Sequence, residues 1–137
     1  MRYLIDANIF LNIALQEEKE NACKEFLDEV SSGNIEAVTT LFHMDASAIV
    51  MENRGVEHKD IGNFYFEAYN SKGLEIVNTG LSSRMNALAE NEHSGFDDSL
   101  LLQAFNELEA DKIVTYDEGF DQENKITPEE VLDLEEN

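Results

Sequence analysis

Aspartates directly follow two predicted strands, one near each end of the chain. Asp6 comes after the apolar run of residues 2–5, and Asp117 comes after residues 113–116. Because parallel strands end at one edge of their sheet, where such sheets bind ligands, we expect the two carboxylates to share one rim. Aspartate also favours strand exits for turn reasons alone, but two at equivalent positions favour a functional role.

A third aspartate lies within a predicted helix of residues 41–51. Asp45 falls on the same helical face as Leu41, Ala48 and Ile49, which predicts that its carboxylate points at the core. Burying a lone carboxylate is costly unless it is protonated, paired with a cation or bound to metal. No basic residue lies one turn away, so metal ligation is favoured, and a neutral or paired Asp45 is the alternative.

The neighbours Asp97 and Asp98 open a predicted helix of residues 97–108. Acidic side chains in a first turn complement the helix dipole, which is the simpler explanation for the pair. Leu101 and Phe105 place both aspartates near the apolar side, so periodicity does not choose between them. We expect one of the two to face the same rim as Asp6.

Carboxylates gathered in this way suggest a divalent metal. Four of them without cations repel one another, and hard oxygen ligands suit magnesium or manganese. Metal held by such a site activates a water and neutralises charge on a phosphate under in-line attack. The sequence contains neither a nucleophile-elbow serine frame nor a glycine-rich phosphate loop that would indicate another chemistry.

The remaining reactive or aromatic side chains are weaker candidates. His43, His58 and His93 share no metal-ligand spacing, so we interpret them as surface or packing residues. Cys23, the single cysteine, is expected to be a buried structural thiol. An aromatic group in a predicted helix could stack bases, but its helical spacing favours core or dimer packing: Phe64, Tyr65, Phe66 and Tyr69.

The elements that would position these residues alternate along the chain. Strands are predicted at residues 2–5, 36–39, 74–77 and 112–115, and helices from residue 8 and at 19–30, 41–51, 58–69, 81–89 and 97–108. Thr127, Pro128 and Glu130 predict a capping box that opens a last short helix. Such alternation indicates a parallel sheet covered on both faces by helices.

Composition indicates one folded but very acidic domain spanning residues 1–137. Thirty acidic residues against nine basic ones give a net charge of −21, which opposes nucleic-acid binding in dilute salt. At molar salt the Debye length shrinks to about 3 Å, so a salt-rich, halophilic cytosol would reconcile the charge with a substrate that carries phosphate groups. With no apolar stretch near the ~20 residues of a membrane span and no recognisable leader, we expect a cytoplasmic protein without membrane attachment.

The sequence from residue 2 to about residue 132 resembles the PIN-domain ribonucleases, the family that includes the VapC toxins of VapBC toxin–antitoxin pairs. Its most specific segments are YLIDANIFL at residues 3–11, DSLL at 98–101, IVTYDEGF at 113–120 and ITPEE at 126–130. Each segment is weak alone, but their order and spacing are fairly specific.

The resemblance implies a fold and a set of site residues. The fold is a three-layer α/β/α sandwich with a central parallel sheet of four to five strands. Asp6, Asp98 and Asp117 match the family's metal-binding acids, whereas Asp45 stands where the family most often has glutamate, and its shorter arm implies a metal held through water. Asn8 and Thr115 match polar positions that support the acidic cluster by hydrogen bonding.

The resemblance also implies a function and partners. It implies a ribonuclease dependent on magnesium or manganese, and it favours Asp98 as the ligand. Because helical periodicity does not choose between the neighbours, Asp97 is kept as the substitute. Family members often form homodimers, and those that are toxins are neutralised by a small antitoxin protein. A non-catalytic PIN domain used for protein interaction is the serious alternative.

Two other aspartate-dependent classes fit the sequence less well. A phospho-acceptor receiver domain needs an adjacent acidic pair after its first strand, and a haloacid-dehalogenase-type phosphatase needs a carboxylate two residues after the first, where Asn8 stands.

Overall fold

The computed structural model of the protein describes residues 1–90 and 95–136, which form a strand-and-helix alternation. The strands are β1 Tyr3–Ile5, β2 Ala37–Thr40, β3 Leu74–Val77, β4 Lys112–Val114 and β5 Lys125–Ile126. The helices are α1 Ala7–Ala14, α2 Glu20–Ser31, α3 Leu41–Asn53, α4 His58–Tyr69, α5 Leu81–Glu90, α6 Phe96–Glu107 and α7 Pro128–Glu135. Every predicted element is present, with ends that differ by one or two residues, and β5 is an additional strand.

All strand pairs are parallel, and the sheet order is β3-β2-β1-β4-β5. Strand β1 is therefore central, with Leu4 opposite Val38 of β2 and Ile113 of β4. Since the strands run the same way, the residues that follow β1, β2 and β4 emerge at one edge of the sheet.

Both faces of the sheet are covered, as a buried parallel sheet requires. Tyr3 and Ile5 of β1 pack on one face with α1, α2 and α7, and the alternate residue Leu4 packs on the other with Leu101 and Ala104 of α6. The protein is therefore an α/β domain of three layers, which confirms the predicted fold class.

Helix α3 buries a different face from the predicted one. Met44, Ser47 and Met51 are buried, whereas Ile49 is 61% exposed and Asp45 is exposed. The prediction that Asp45 points at the core is wrong, because α3 is apolar on most of its circumference and packing against α1, rather than periodicity, selects its buried side.

Helix α7 begins as predicted. The Thr127 side chain accepts from the Glu130 amide, the Glu130 carboxylate accepts from the Thr127 amide, and Pro128 occupies the first turn. This reciprocal cap fixes the chain directly after β5. Across residues 1–90 and 95–136, no helix is long and apolar enough to cross a membrane.

Candidate active site

Asp6 lies at the carboxyl end of the central strand, where β1 turns into α1. Its backbone amide donates to the Val114 carbonyl of β4 at 3.1 Å, which continues the strand pairing by one residue. The side chain is 8% exposed, and burial raises its pKa, although the hydrogen bond from Thr115 acts in the opposite direction. A buried carboxylate thus faces the rim of the sheet.

Thr115 connects the ends of β1 and β4 through its hydroxyl group. Its Oγ1 donates to Oδ2 of Asp6 at 2.7 Å and accepts from Nδ2 of Asn8 at 3.0 Å and from the Asp117 amide at 2.9 Å. Asn8 Nδ2 also lies 3.2 Å from Asp6 Oδ2. The structure thus brings Asn8 and Thr115 into direct contact with the Asp6 carboxylate and holds the backbone of Asp117 beside it.

The side chain of Asp117 is oriented by its own turn. Its Oδ1 accepts from the Gly119 amide at 2.8 Å, and a Cβ atom at Gly119 would lie 3.1 Å from the same oxygen. Nζ of Lys125 donates to the Asp117 carbonyl at 3.1 Å. Glycine therefore lets the backbone close tightly around this carboxylate.

Asp98 lies in the first turn of α6. It is half-buried, and its pKa is raised to about 6 by burial and then by repulsion from Asp97, Asp117 and Asp6. Asp97 is exposed. The Asp98 carboxylate is therefore close enough to Asp6 and Asp117 to interact with them electrostatically, and it is more buried than the carboxylate of Asp97.

Asp45 has a different environment from these three aspartates. Its carboxylate is exposed, and Oδ1 accepts a 2.7 Å hydrogen bond from the Tyr65 hydroxyl of α4. Burial and the Asp45 carboxylate raise the pKa of Tyr65, which keeps the phenol a donor. The proposed role of Asp45 at the metal stays a prediction.

His43, which the sequence analysis interprets as a surface or packing residue, also belongs to this region. It is 2% exposed, and its ring reaches the Asp97 carbonyl and the Thr40 hydroxyl. Burial lowers its pKa, and Asp6 lies close enough to act on it electrostatically. In the sequence, the one indication of this role is that His43 follows Thr40 by three residues. Thr40 caps α3 by accepting a hydrogen bond from the His43 amide.

The donor set fits a magnesium or manganese ion in its chemistry. Among the residues that the structure describes, no group of three or more histidine, cysteine or acidic side chains is close enough to ligate one ion together. Magnesium, however, commonly keeps several waters and binds one or two carboxylates directly. Oδ1 of Asn8 is buried without a hydrogen-bond partner in the described part of the chain, so it offers an acceptor to a metal-bound water.

The other two candidates that the structure describes are a buried thiol and an exposed imidazole. Cys23 is fully buried, and burial raises its pKa to about 11, as expected of an inert thiol. His58 is exposed beside Glu52 at 2.6 Å, and His93 lies outside the described residues.

The aromatic group of α4 divides into a packed and an exposed part. The Phe64 ring lies 5.3 Å from that of Phe10, whereas Phe66 and Tyr69 are 68% and 82% exposed. Core packing therefore explains Phe64 but neither Phe66 nor Tyr69.

Comparison with known proteins gives a structural match. In sequence, the chain matches no family model and no curated protein. In structure, it is similar to VapC20 of Mycobacterium tuberculosis, described as a toxin that cleaves the sarcin-ricin loop, with a TM-score of 0.68 and 8% identity. The match covers 85% of this chain and 91% of VapC20. The chain therefore has the fold of a PIN-domain toxin, although the two sequences are not similar.

Proposed function

We propose that this protein is a ribonuclease that depends on magnesium or manganese. The observation that carries the proposal is the electrostatic interaction of Asp98 with Asp6 and Asp117 at the carboxyl edge of a PIN-like sheet, where burial and then repulsion from Asp97, Asp117 and Asp6 raise the pKa of Asp98 to about 6. Within the described residues, no lysine or arginine forms an ion pair with these carboxylates. A divalent cation would relieve their repulsion.

Each residue has a role in this proposal. Asp6 and Asp98 bind the ion directly, Asp117 completes the site, and Asp45 orients water or metal. Thr115 and Asn8 hold the Asp6 carboxylate in one orientation through their hydrogen bonds. The bound ion would supply a polarised water and neutralise charge on the phosphodiester.

The fold supports an RNA substrate, because a structurally similar protein cleaves an RNA loop. We further propose that the protein is a cytoplasmic toxin. In this proposal it forms a homodimer and is neutralised by a small antitoxin. The exposed Phe66 and Tyr69 side chains offer apolar surface for contact with a second copy of the chain or with an antitoxin.

The direct test is incubation of the purified protein with a diverse RNA pool in molar potassium chloride. We expect cleavage with manganese and complete protection with chelator. Intact RNA in both samples would favour the non-catalytic, protein-binding alternative.

A further inference from the structure

We propose that His43 is a positioning residue that holds the first turn of α6, and with it Asp98, against the metal-binding rim. The inference rests on the proposed function, because it assigns His43 a task within that site. It adds a residue that neither the resemblance nor the structural comparison identifies.

The contact itself is made by the imidazole ring. His43 Nε2 lies 3.0 Å from the Asp97 carbonyl oxygen, and Nδ1 lies 2.5 Å from Oγ1 of Thr40. A carbonyl oxygen only accepts, so Nε2 carries the hydrogen, and Nδ1 accepts from the Thr40 hydroxyl. That hydroxyl in turn accepts from the His43 amide at 3.0 Å, so donors and acceptors match throughout.

The hydrogen bond between His43 and Asp97 joins the beginning of α3 to the beginning of α6. His43 belongs to α3, which follows β2, whereas Asp97 lies in the first turn of α6. The neighbouring pair Phe42 and Phe96 makes a second contact between the same helix ends, with ring centroids 5.6 Å apart. Two consecutive residues of α3 therefore hold two consecutive residues of α6.

The contact also opposes repulsion between carboxylates in the metal-free protein. Asp98 lies in the first turn of α6, whereas Asp6 and Asp117 follow β1 and β4, so like charges occupy both sides of the rim. This repulsion would push the start of α6 away from β1 and β4. A buried, directional hydrogen bond to the Asp97 backbone opposes that displacement and uses no carboxylate that a metal would need.

Substitutions at His43 separate positioning from simple packing. His43→Gln keeps an amide N–H close to the position of Nε2, whereas His43→Asn places its amide near Nδ1, too short to reach Asp97. His43→Phe keeps ring volume and removes both nitrogens. Ser47→Ala is the matched control, because Ser47 is buried on the same helix and donates only to the His43 carbonyl at 2.8 Å.

The first readout is amide hydrogen exchange in the metal-free protein. We expect exchange at residues 99–101 to rise about tenfold in His43→Asn and His43→Phe, while His43→Gln and Ser47→Ala stay near wild type. Amides of β1 and β4 should keep their protection in all four variants. If His43→Phe does not fold, the Asn and Gln variants decide the question.

The second readout is manganese affinity by calorimetry. Loss of a residue that orients a ligand weakens metal binding by about 10- to 100-fold, so we expect this loss in the Asn and Phe variants and its recovery in the Gln variant. Wild-type exchange and affinity in folded His43→Asn would overturn the proposal. Should the wild type bind no manganese, the ribonuclease proposal fails, and hydrogen exchange alone still decides whether His43 holds α6.

Discussion

The Thr115 hydroxyl lies 2.7 Å from Oδ2 of Asp6 and links the carboxyl ends of two neighbouring strands, β4 and β1. Oγ1 of Thr115 also accepts hydrogen bonds from the Asn8 side chain and from the Asp117 amide. A single hydroxyl thus controls the orientation of one carboxylate and the backbone position of another.

Replacing this hydroxyl tests its importance for both stability and metal binding. Thr115→Val should lower the free energy of unfolding by roughly 1–3 kcal/mol, because it leaves buried polar groups without partners. It should also weaken manganese affinity by about 10- to 100-fold. Urea titration and calorimetry measure the two effects.

Thr39→Val is the matched control for Thr115. Thr39 is fully buried on β2 and donates to the Ile5 carbonyl at 3.1 Å. It should lower stability while leaving manganese affinity unchanged. Equal losses of affinity in both variants would show that Thr115 acts only through general stability.

The pKa of Asp98 predicts a pH dependence of the metal-free protein. Folded Asp98 takes up a proton near pH 6, whereas in the unfolded chain it does so near its ordinary value of about 4. Between these values the folded state binds more protons, so the free energy of unfolding falls as pH rises through this window. The buried Asp6 carboxyl acts in the same direction.

Urea titrations at pH 5 and pH 7, in chelator, measure this effect. Asp98→Asn should lose less stability than wild type between the two values. Asp28→Asn, an exposed change of equal charge on α2, should follow wild type. A wild-type slope in Asp98→Asn would show that its ionisation is not opposed in the folded state.

Asp97 and Asp98 should differ in metal binding. Asp98 is half-buried and interacts with Asp6 and Asp117, whereas Asp97 is exposed. We expect Asp98→Asn to abolish manganese binding in calorimetry and Asp97→Asn to retain it. The reverse order would assign the ligand to Asp97.

The net charge of −21 predicts a dependence on salt. Screening reduces repulsion among surface carboxylates, so the melting temperature and the ribonuclease rate should both be higher in molar potassium chloride than in dilute buffer. A melting temperature that is flat or lower in molar salt would contradict the halophilic interpretation.

The sequence predicted which residues lie at the carboxyl edge of the sheet more accurately than it predicted which helix faces are buried. Asp6, Thr115 and Asp117 follow apolar strands, and the parallel arrangement alone brings strand ends to one edge. Strand β5, Lys125–Ile126, was not predicted because two residues carry no periodicity and the strand forms only by pairing with β4.

Tertiary packing, and not the periodicity of the sequence, determines the buried face of α3 and the partner of His43. Helix α3 carries apolar residues on most of its surface, so Leu41 and Ile49 suggested one face while Met44 and Met51 are the buried ones. The role of His43 was equally hidden, because its partner Asp97 lies 54 positions away in the chain. Neither the buried face of α3 nor the contact between His43 and Asp97 can be predicted from the spacing of neighbouring residues.

The proposed function depends on Asp6, which would hold the metal with which RNA is cleaved. Asp6→Asn should remain folded, with equal or raised stability in chelator, because it removes a buried charge opposed by burial and by Asp117. Asp28→Asn changes the net charge equally and lies outside the site, so it should retain wild-type activity.

The decisive measurement is the rate of cleavage of a diverse RNA pool by these three proteins, loaded with manganese in molar potassium chloride. We predict cleavage by wild type and Asp28→Asn, loss of activity by several orders of magnitude in Asp6→Asn, and none in chelator. Folded, manganese-loaded wild type that leaves every RNA intact, or folded Asp6→Asn that cleaves at the wild-type rate, would contradict the account.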